Sequence, residues 1–229
     1  MHLVIFDIDG TLTETTKVDE ECFVRSLGDV CGFHDVDTDW LRYKHATDSG
    51  IFHEIHEART GRPPSADEVS RFRQHFVALL AQASSGSAIA PIPGAPQLLS
   101  GLAGSVGHRV SLATGGWRDS ARLKMASAGM CFDDHPAASA DDALDRESIM
   151  KLSMQRAVER YGGPFAGTVY VGDAVWDARA CRGLGIPFIG IGSGVRAARL
   201  ASEGAIRVFQ DFSDKDLFLE SLDELTQPA

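Results

Sequence analysis

Asp7 and Asp9 stand two residues apart at the end of an apolar run, His2-Leu-Val-Ile-Phe6, and Gly10, Thr11, Leu12, Thr13 and Glu14 follow at once. Residues i and i+2 of a strand point to the same side, so two carboxylates are expected to converge where the chain leaves a sheet. Gly10 lets the backbone turn sharply there and leaves room for a ligand. Carboxylates at one strand tip repel each other, and a divalent cation between them, or a proton on one, relieves the repulsion. Both states are useful in catalysis. A plain strand followed by an Asx-type turn would produce the same pattern.

Two later segments repeat the arrangement of polar groups just past an apolar run. Ser111-Leu-Ala-Thr114-Gly115-Gly116 offers a hydroxyl and unhindered backbone N–H groups directly ahead of a helix start. That combination suits a phosphate group, although strand–Gly–Gly–helix turns also arise for purely structural reasons. Tyr170-Val-Gly172-Asp173-Ala-Val-Trp-Asp177 sets two acids four residues apart across a turn into a helix. Oxygen donors without Cys or His partners suit Mg²⁺, whereas an Asp at a helix start is also a simple N-cap.

In order along the chain, these segments resemble the motifs of the haloacid dehalogenase-like (HAD) phosphohydrolases. Asp7-Ile-Asp9-Gly10-Thr11-Leu12-Thr13 is similar to the first motif, D-x-D-G-T-[LV]-x, Thr114 falls on the hydroxyl of the second, and Gly172-Asp173 to Asp177 resembles the fourth, G-D-x-x-x-D. The third departs from the usual Lys-Pro form. Spacing back from Tyr161-Gly162 places Arg146 nearest the family's basic residue, while Lys151 has the usual type but lies about a turn and a half inside the helix. Arg146 is the preferred candidate and could clamp phosphate bidentately; Lys151 would act as a point charge. The resemblance spans residues 7 to 177 and is to subclass I, the group around phosphoglycolate phosphatase and beta-phosphoglucomutase.

That resemblance implies a Mg²⁺-dependent phosphatase acting on a small phosphate monoester. Asp7 would form an aspartyl-phosphate, and Asp9 would protonate the leaving alcohol and later take a proton from water. Mg²⁺ would be held by Asp7, the Asp9 carbonyl and Asp173, with Asp177 in support. Thr114, Gly115 and the basic residue would hold the phosphate oxygens. The acid at position 9 sets the chain apart from the dehalogenases and phosphonatases of the superfamily, which lack it. A sugar phosphomutase or phosphotransferase would use the same residues, and a phospho-accepting signalling module is a third reading.

The elements that must position these residues follow from hydrophobic period. Residues 2–8 read as a buried strand. Helical periods then run over 19–30, 38–59 and 66–82, with Ser65 and Glu68 forming a capping box. Ser84 to Ala88 reads as a flexible hinge. Strands are expected at 108–113, 168–172, 187–191 and 205–209, alternating with helices at 95–103, 117–128, 146–161, 174–183, 195–202 and 213–225. The fold expected is α/β, a doubly wound parallel Rossmann-like sheet, with an all-helical cap inserted after the first strand. Residues 1–15 and 89–229 would form the catalytic core and 16–88 the cap, hinged at 13–16 and 84–94.

Substrate choice is expected in the cap, where Arg42, His45, Thr47, Asp48 and Ser49 surround a glycine inside an otherwise helical stretch; a simple helix kink is the alternative. His53 and His56 lack metal-binding spacing, and Gly190-Ile-Gly192-Ser-Gly194 lacks the full dinucleotide fingerprint. A formal charge of −10 in 229 residues argues against a nucleic-acid or anionic-membrane partner and leaves a small phosphorylated metabolite open. Cys22, Cys31, Cys131 and Cys181 form no paired motif, which fits a reducing compartment. With no leader-like start and no long apolar run, a cytoplasmic monomer or homodimer is expected.

Overall fold

The computed structural model describes residues 1–226. Six strands form one parallel sheet in the order β3-β2-β1-β4-β5-β6. They are β1 (His2–Phe6), β2 (His108–Ala113), β3 (Ala137–Ala138), β4 (Thr168–Gly172), β5 (Phe188–Ile191) and β6 (Arg207–Phe209). The order of succession reverses at β1, which lies between β2 and β4, and open α/β sheets bind ligands at such a reversal, beyond the carboxyl ends of the strands. Phe6 is level with Leu112 on one side and Val171 on the other, so Asp7, Thr114 and Asp173 emerge together at that edge.

Alternation along β1 sends Leu3 and Ile5 to one face and Val4 and Phe6 to the other, and all four are fully buried. Val4 and Phe6 pack with α4 (Ala95–Ala103), α5 (Arg118–Ser127) and α9 (Lys215–Thr226). Leu3 and Ile5 pack with α6 (Arg146–Tyr161), α7 (Val175–Leu184) and α8 (Gly194–Ser202). Apolar runs covered on both faces are what a parallel sheet requires.

Between β1 and α4 lie α1 (Thr16–Cys31), α2 (Asp48–Thr60) and α3 (Ala66–Gly86). Their facing stripes bury an aromatic-rich cluster: Phe23 and Leu27 from α1, Phe52 and Ile55 from α2, Phe72 and Phe76 from α3. Phe52 and Phe72 stack with centroids 4.3 Å apart. The expected capping box opens α3, with Glu68 N–H donating to Ser65 Oγ and Ser65 N–H to Glu68.

Four expectations require correction. β1 stops at Phe6, so both aspartates sit in the following loop. The helix expected over 38–59 is a single 3₁₀ turn, Trp40–Arg42, and then α2. Thr47 is the reason for the late start: its hydroxyl accepts from Gly50 N–H at 3.0 Å, capping the helix there. Ser84, Ser85 and Gly86 complete α3 instead of forming a hinge. The two-residue β3, too short to leave a periodic signal, extends the sheet beyond β2.

Candidate active site

The loop after β1 is wound tightly on the Ile8 carbonyl, which accepts from the backbone N–H of Leu12 at 2.9 Å and of Thr13 at 3.0 Å. Gly10 has φ +74°, and a Cβ there would stand 2.1 Å from Asp173 Oδ2. A bare backbone at residue 10 is therefore what lets the carboxylate beyond β4 approach the loop beyond β1. Oxygen atoms of Asp7, Asp173 and Asp177 come within 4.8 Å of one another.

Arg146 closes this cluster from the first turn of α6. Its guanidinium donates to Asp177 Oδ1, with Nε at 3.0 Å, and stands 3.1 Å from Asp7 Oδ1. Only 7% of Arg146 is exposed. Gly115 makes space for it, since a Cβ at that position would meet Arg146 Nη1 at 2.5 Å. Lys151 is absent from the cluster: its ammonium is 3.9 Å from Glu147 on the exposed face of α6. Of the two candidates the structure brings Arg146 into the cluster, because the helix start points inward while Lys151, about a turn and a half further on, points to solvent.

Burial pushes the Asp7 carboxyl well up, with Asp177, Asp173 and Asp9 adding to the shift and Arg146 opposing it. Burial likewise lifts Asp173 to about 7, against the pull of Arg196, whose Nη1 lies 2.8 Å from Asp173 Oδ2. Carboxylates crowded this way repel each other, and a divalent cation between them would relieve that repulsion. Asp177 already serves Arg146 through one oxygen and accepts from the Ala174 N–H at 3.4 Å through the other. Asp7 and Asp173 are left as donors, a hard all-oxygen set that fits Mg²⁺.

This charge balance has a measurable consequence. In the unfolded chain an aspartate loses its proton near pH 3.9, whereas folded Asp173 keeps it to about 7. Its contribution to stability is therefore full below about pH 4 and is lost as the pH rises through about 7. A divalent cation bound there would replace that proton, so the rise in Tm on adding Mg²⁺ is expected to grow from about pH 5 to about pH 8. A Mg²⁺ shift that is flat or shrinks over this range would contradict a cation on Asp173.

The Asp9 carboxylate lies outside this cluster. Its Oδ1 accepts from Thr15 Oγ1 at 2.5 Å and lies 2.8 Å from Lys124 Nζ. Lys124 is fully buried on α5, reaches Asp19 of α1, and lies 5.9 Å above the Phe76 ring of α3. Desolvation disfavours its charge, yet Asp19, Asp9 and Asp48 together hold its pKa above the usual lysine value. Burial raises Asp19 to about 6, with Lys124 opposing. No motif marks Lys124. The available sign was its place in the inward stripe Ala121, Lys124, Met125, where a lysine is out of character.

Trp117, immediately beyond the Thr114–Gly116 turn, plugs into the aromatic cluster of α1–α3 and stacks on Phe23 at 6.1 Å. Its backbone N–H donates to Asp48 Oδ2 at 2.9 Å and its indole N–H to Ser49 Oγ at 2.8 Å. Asp48 N–H donates in turn to the Gly115 carbonyl at 2.8 Å. These bonds lay the start of α2 across the strand edge.

A pocket of about 340 Å³ lies between the two layers, lined by Asp7, Asp9, Thr114, Gly115, Arg146 and Asp173 at its floor. Of the five expected specificity residues, Thr47 and Asp48 line it. Arg42 pairs instead with Asp37 at 2.7 Å on the surface, His45 packs beneath Gly50, and Ser49 is spent on Trp117 and the Ala140 carbonyl. Asp177 lies just behind the lining. Residues that motif reading missed complete the walls: Asp19, Glu20, Phe23, Trp40, Trp176, Val195, Arg196 and Arg199 among them.

A doubly wound α/β hydrolase is the class to which this sheet and site conform. The family model for haloacid dehalogenase-like hydrolases matches residues 1–185, and the chain belongs to that family. Among solved structures, a hydrolase from Pseudomonas syringae is similar over 99% of this chain and 100% of its own, at 22% identity and a TM-score of 0.75. CbbY from Rhodobacter sphaeroides, solved in complex with phosphate, is similar over 93% of this chain and 95% of its own (22% identity, TM-score 0.68). A putative beta-phosphoglucomutase from Bacteroides vulgatus covers all of this chain and 91% of its own at 15% identity, with a TM-score of 0.70. At such identities the likeness is one of fold. No curated protein matches the chain. Among the described residues no helix is long and apolar enough to cross a membrane.

Proposed function

We propose that this hydrolase is a Mg²⁺-dependent phosphatase that cleaves a small phosphate monoester through an aspartyl-phosphate on Asp7, with residues 1–15 and 89–229 as catalytic core and 16–88 as cap. One observation carries this reading: a buried carboxylate, Asp7, faces a buried guanidinium 3.1 Å away at the floor of a pocket, with Asp173 beside it. Positive charge next to a nucleophilic carboxylate draws in an anionic electrophile, and phosphate is the anion whose transfer a carboxylate can accept.

Arg146, the Thr114 hydroxyl and the Gly115 N–H hold the phosphoryl oxygens and direct phosphorus toward Asp7. Asp7 attacks in line, and the bond from phosphorus to the ester oxygen breaks. Asp9 gives that oxygen a proton. Its Oδ1 is occupied by Thr15 and Lys124, while Oδ2 has no hydrogen bond among the described residues and is the free oxygen for proton transfer. Once the alcohol departs, Asp9 takes a proton from water, which attacks the aspartyl-phosphate and restores Asp7. Mg²⁺ bound by Asp7 and Asp173 supplies neutralisation of the phosphoryl charge.

Transfer of the phosphoryl group to a sugar hydroxyl would use the same residues, and the likeness to a putative beta-phosphoglucomutase keeps that second reading in view. The test is phosphate release from a panel of phosphorylated metabolites with Mg²⁺ and with EDTA. Release that requires Mg²⁺ is the expected result. Isomerised sugar phosphate without free phosphate would mean a mutase, and metal-independent release would contradict the proposal.

A further inference from the structure

We infer that Arg196 and Arg199 of α8 form a second anion subsite, so that the substrate carries a carboxylate or second phosphate group on its leaving-group side. This rests on the phosphatase reading of the pocket floor. Both arginines line the same pocket as Asp7, on a wall formed by α8 and the first turn of α7. They are three residues apart on a helix and therefore lie on one face.

Their charges are engaged very differently from the others around them. Arg199 makes no hydrogen bond or ion pair through its guanidinium among the described residues, in a chain with 32 acids against 22 basic residues. Its natural partner one turn on, Glu203, is taken by Arg179 at 2.7 Å and Arg182 at 3.4 Å from α7. Arg196 packs over Gly192, where a Cβ would meet its Cδ at 2.7 Å, and touches only Asp173. The pocket's acids beyond its floor, by contrast, are already satisfied. Asp19 pairs with Lys124, Asp48 accepts from Trp117 N–H, and Glu20 accepts from the Trp40 indole at 2.8 Å. The charge that the wall leaves unanswered is positive.

A guanidinium presents a planar fork that matches carboxylate or phosphate bidentately. Phe23, Trp40, Leu41, Trp176 and Val195 line the same pocket, and such apolar walls suit a short carbon skeleton carrying an anionic group at each end.

The experiment compares alkyl phosphates with ω-carboxyalkyl phosphates and with alkanediol bisphosphates of equal chain length, over a ladder of lengths, in wild type, Arg199→Ala and Arg199→Lys, with Mg²⁺. Wild type is expected to favour a doubly anionic member over its alkyl counterpart by about tenfold in kcat/KM, chiefly through KM. In Arg199→Ala that ratio collapses toward unity, and Arg199→Lys retains part of it. The preference also weakens with added salt. The better of the carboxylate and bisphosphate series identifies the anion. No preference at any length, or the same ratio in wild type and Arg199→Ala, overturns the subsite. If no compound turns over, the same pairs are measured by their thermal shift on Asp7→Asn with Mg²⁺. An Arg199-dependent preference there supports the subsite while the phosphatase reading fails; turnover without preference does the reverse.

Discussion

Asp7→Asn is expected to abolish turnover, by at least about ten-thousand-fold in kcat, while the protein stays folded. The amide cannot form the acyl phosphate on which both half-reactions depend, and removal of a nucleophile is among the most costly changes an active site can suffer. The accompanying stability change separates a catalytic role from a structural one. Asp7 is repelled by Asp177, Asp173 and Asp9, and Arg146 keeps Asp177 as a partner when Asp7 loses its charge. Without Mg²⁺ the variant's Tm should therefore equal or exceed that of the wild type. Steady-state phosphate release beside a thermal melt tests both parts. Residual turnover above background would exclude Asp7 as the nucleophile, and a lower Tm would mean that its carboxylate is needed for the fold.

Lys124→Met has the second large effect, and it falls on stability. Methionine roughly conserves the volume, so the loss is electrostatic: Asp19, Asp9 and Asp48 are left around an uncharged side chain. Removing one partner of a buried ion cluster costs about 3–5 kcal/mol. The sign with pH follows from the acids. Asp19 already holds its proton to about 6 in the folded protein, and without the lysine it holds it more tightly. Carboxyls whose folded pKa is raised stabilise at low pH and lose that contribution as the pH rises through the folded value. The deficit of Lys124→Met should thus be smaller at about pH 5 than at about pH 8. Adding Asp19→Asn should recover part of it. Urea unfolding at the two pH values measures this, and a deficit independent of pH would assign Lys124 to packing alone.

The two variants draw a line through the molecule. Asp7 was legible because its chemistry is encoded locally: an apolar strand, an acid at its end and a glycine that bends the chain. Thr114, Asp173 and Asp177 are marked in the same way, and alternating strand and helix periods are enough to place all of them on one sheet edge. Arg146 was readable from its distance to the following turn, since a helix start has a defined direction. Where a position depended on what packs over it, sequence reasoning lost its hold. Arg42, His45, Thr47, Asp48 and Ser49 stand together in the chain, yet only Thr47 and Asp48 face the pocket. The Thr47 cap and the Trp117 plug decide which side of that segment looks inward.

The linear order of residues by itself determined the doubly wound class, the helical insertion after the first strand and the acids at the strand tips, because period, turn chemistry and capping act within a few residues. Only the tertiary structure decided that Asp9 leaves the acid cluster for Lys124, that Lys151 faces solvent, and that Arg196 and Arg199 share the pocket with Asp7. The physical reason is range. A carboxylate's neighbours across a pocket come from helices more than a hundred residues away in the chain, and nothing local to Asp9 or Arg199 specifies which charge will be buried beside it and which will be left facing the ligand.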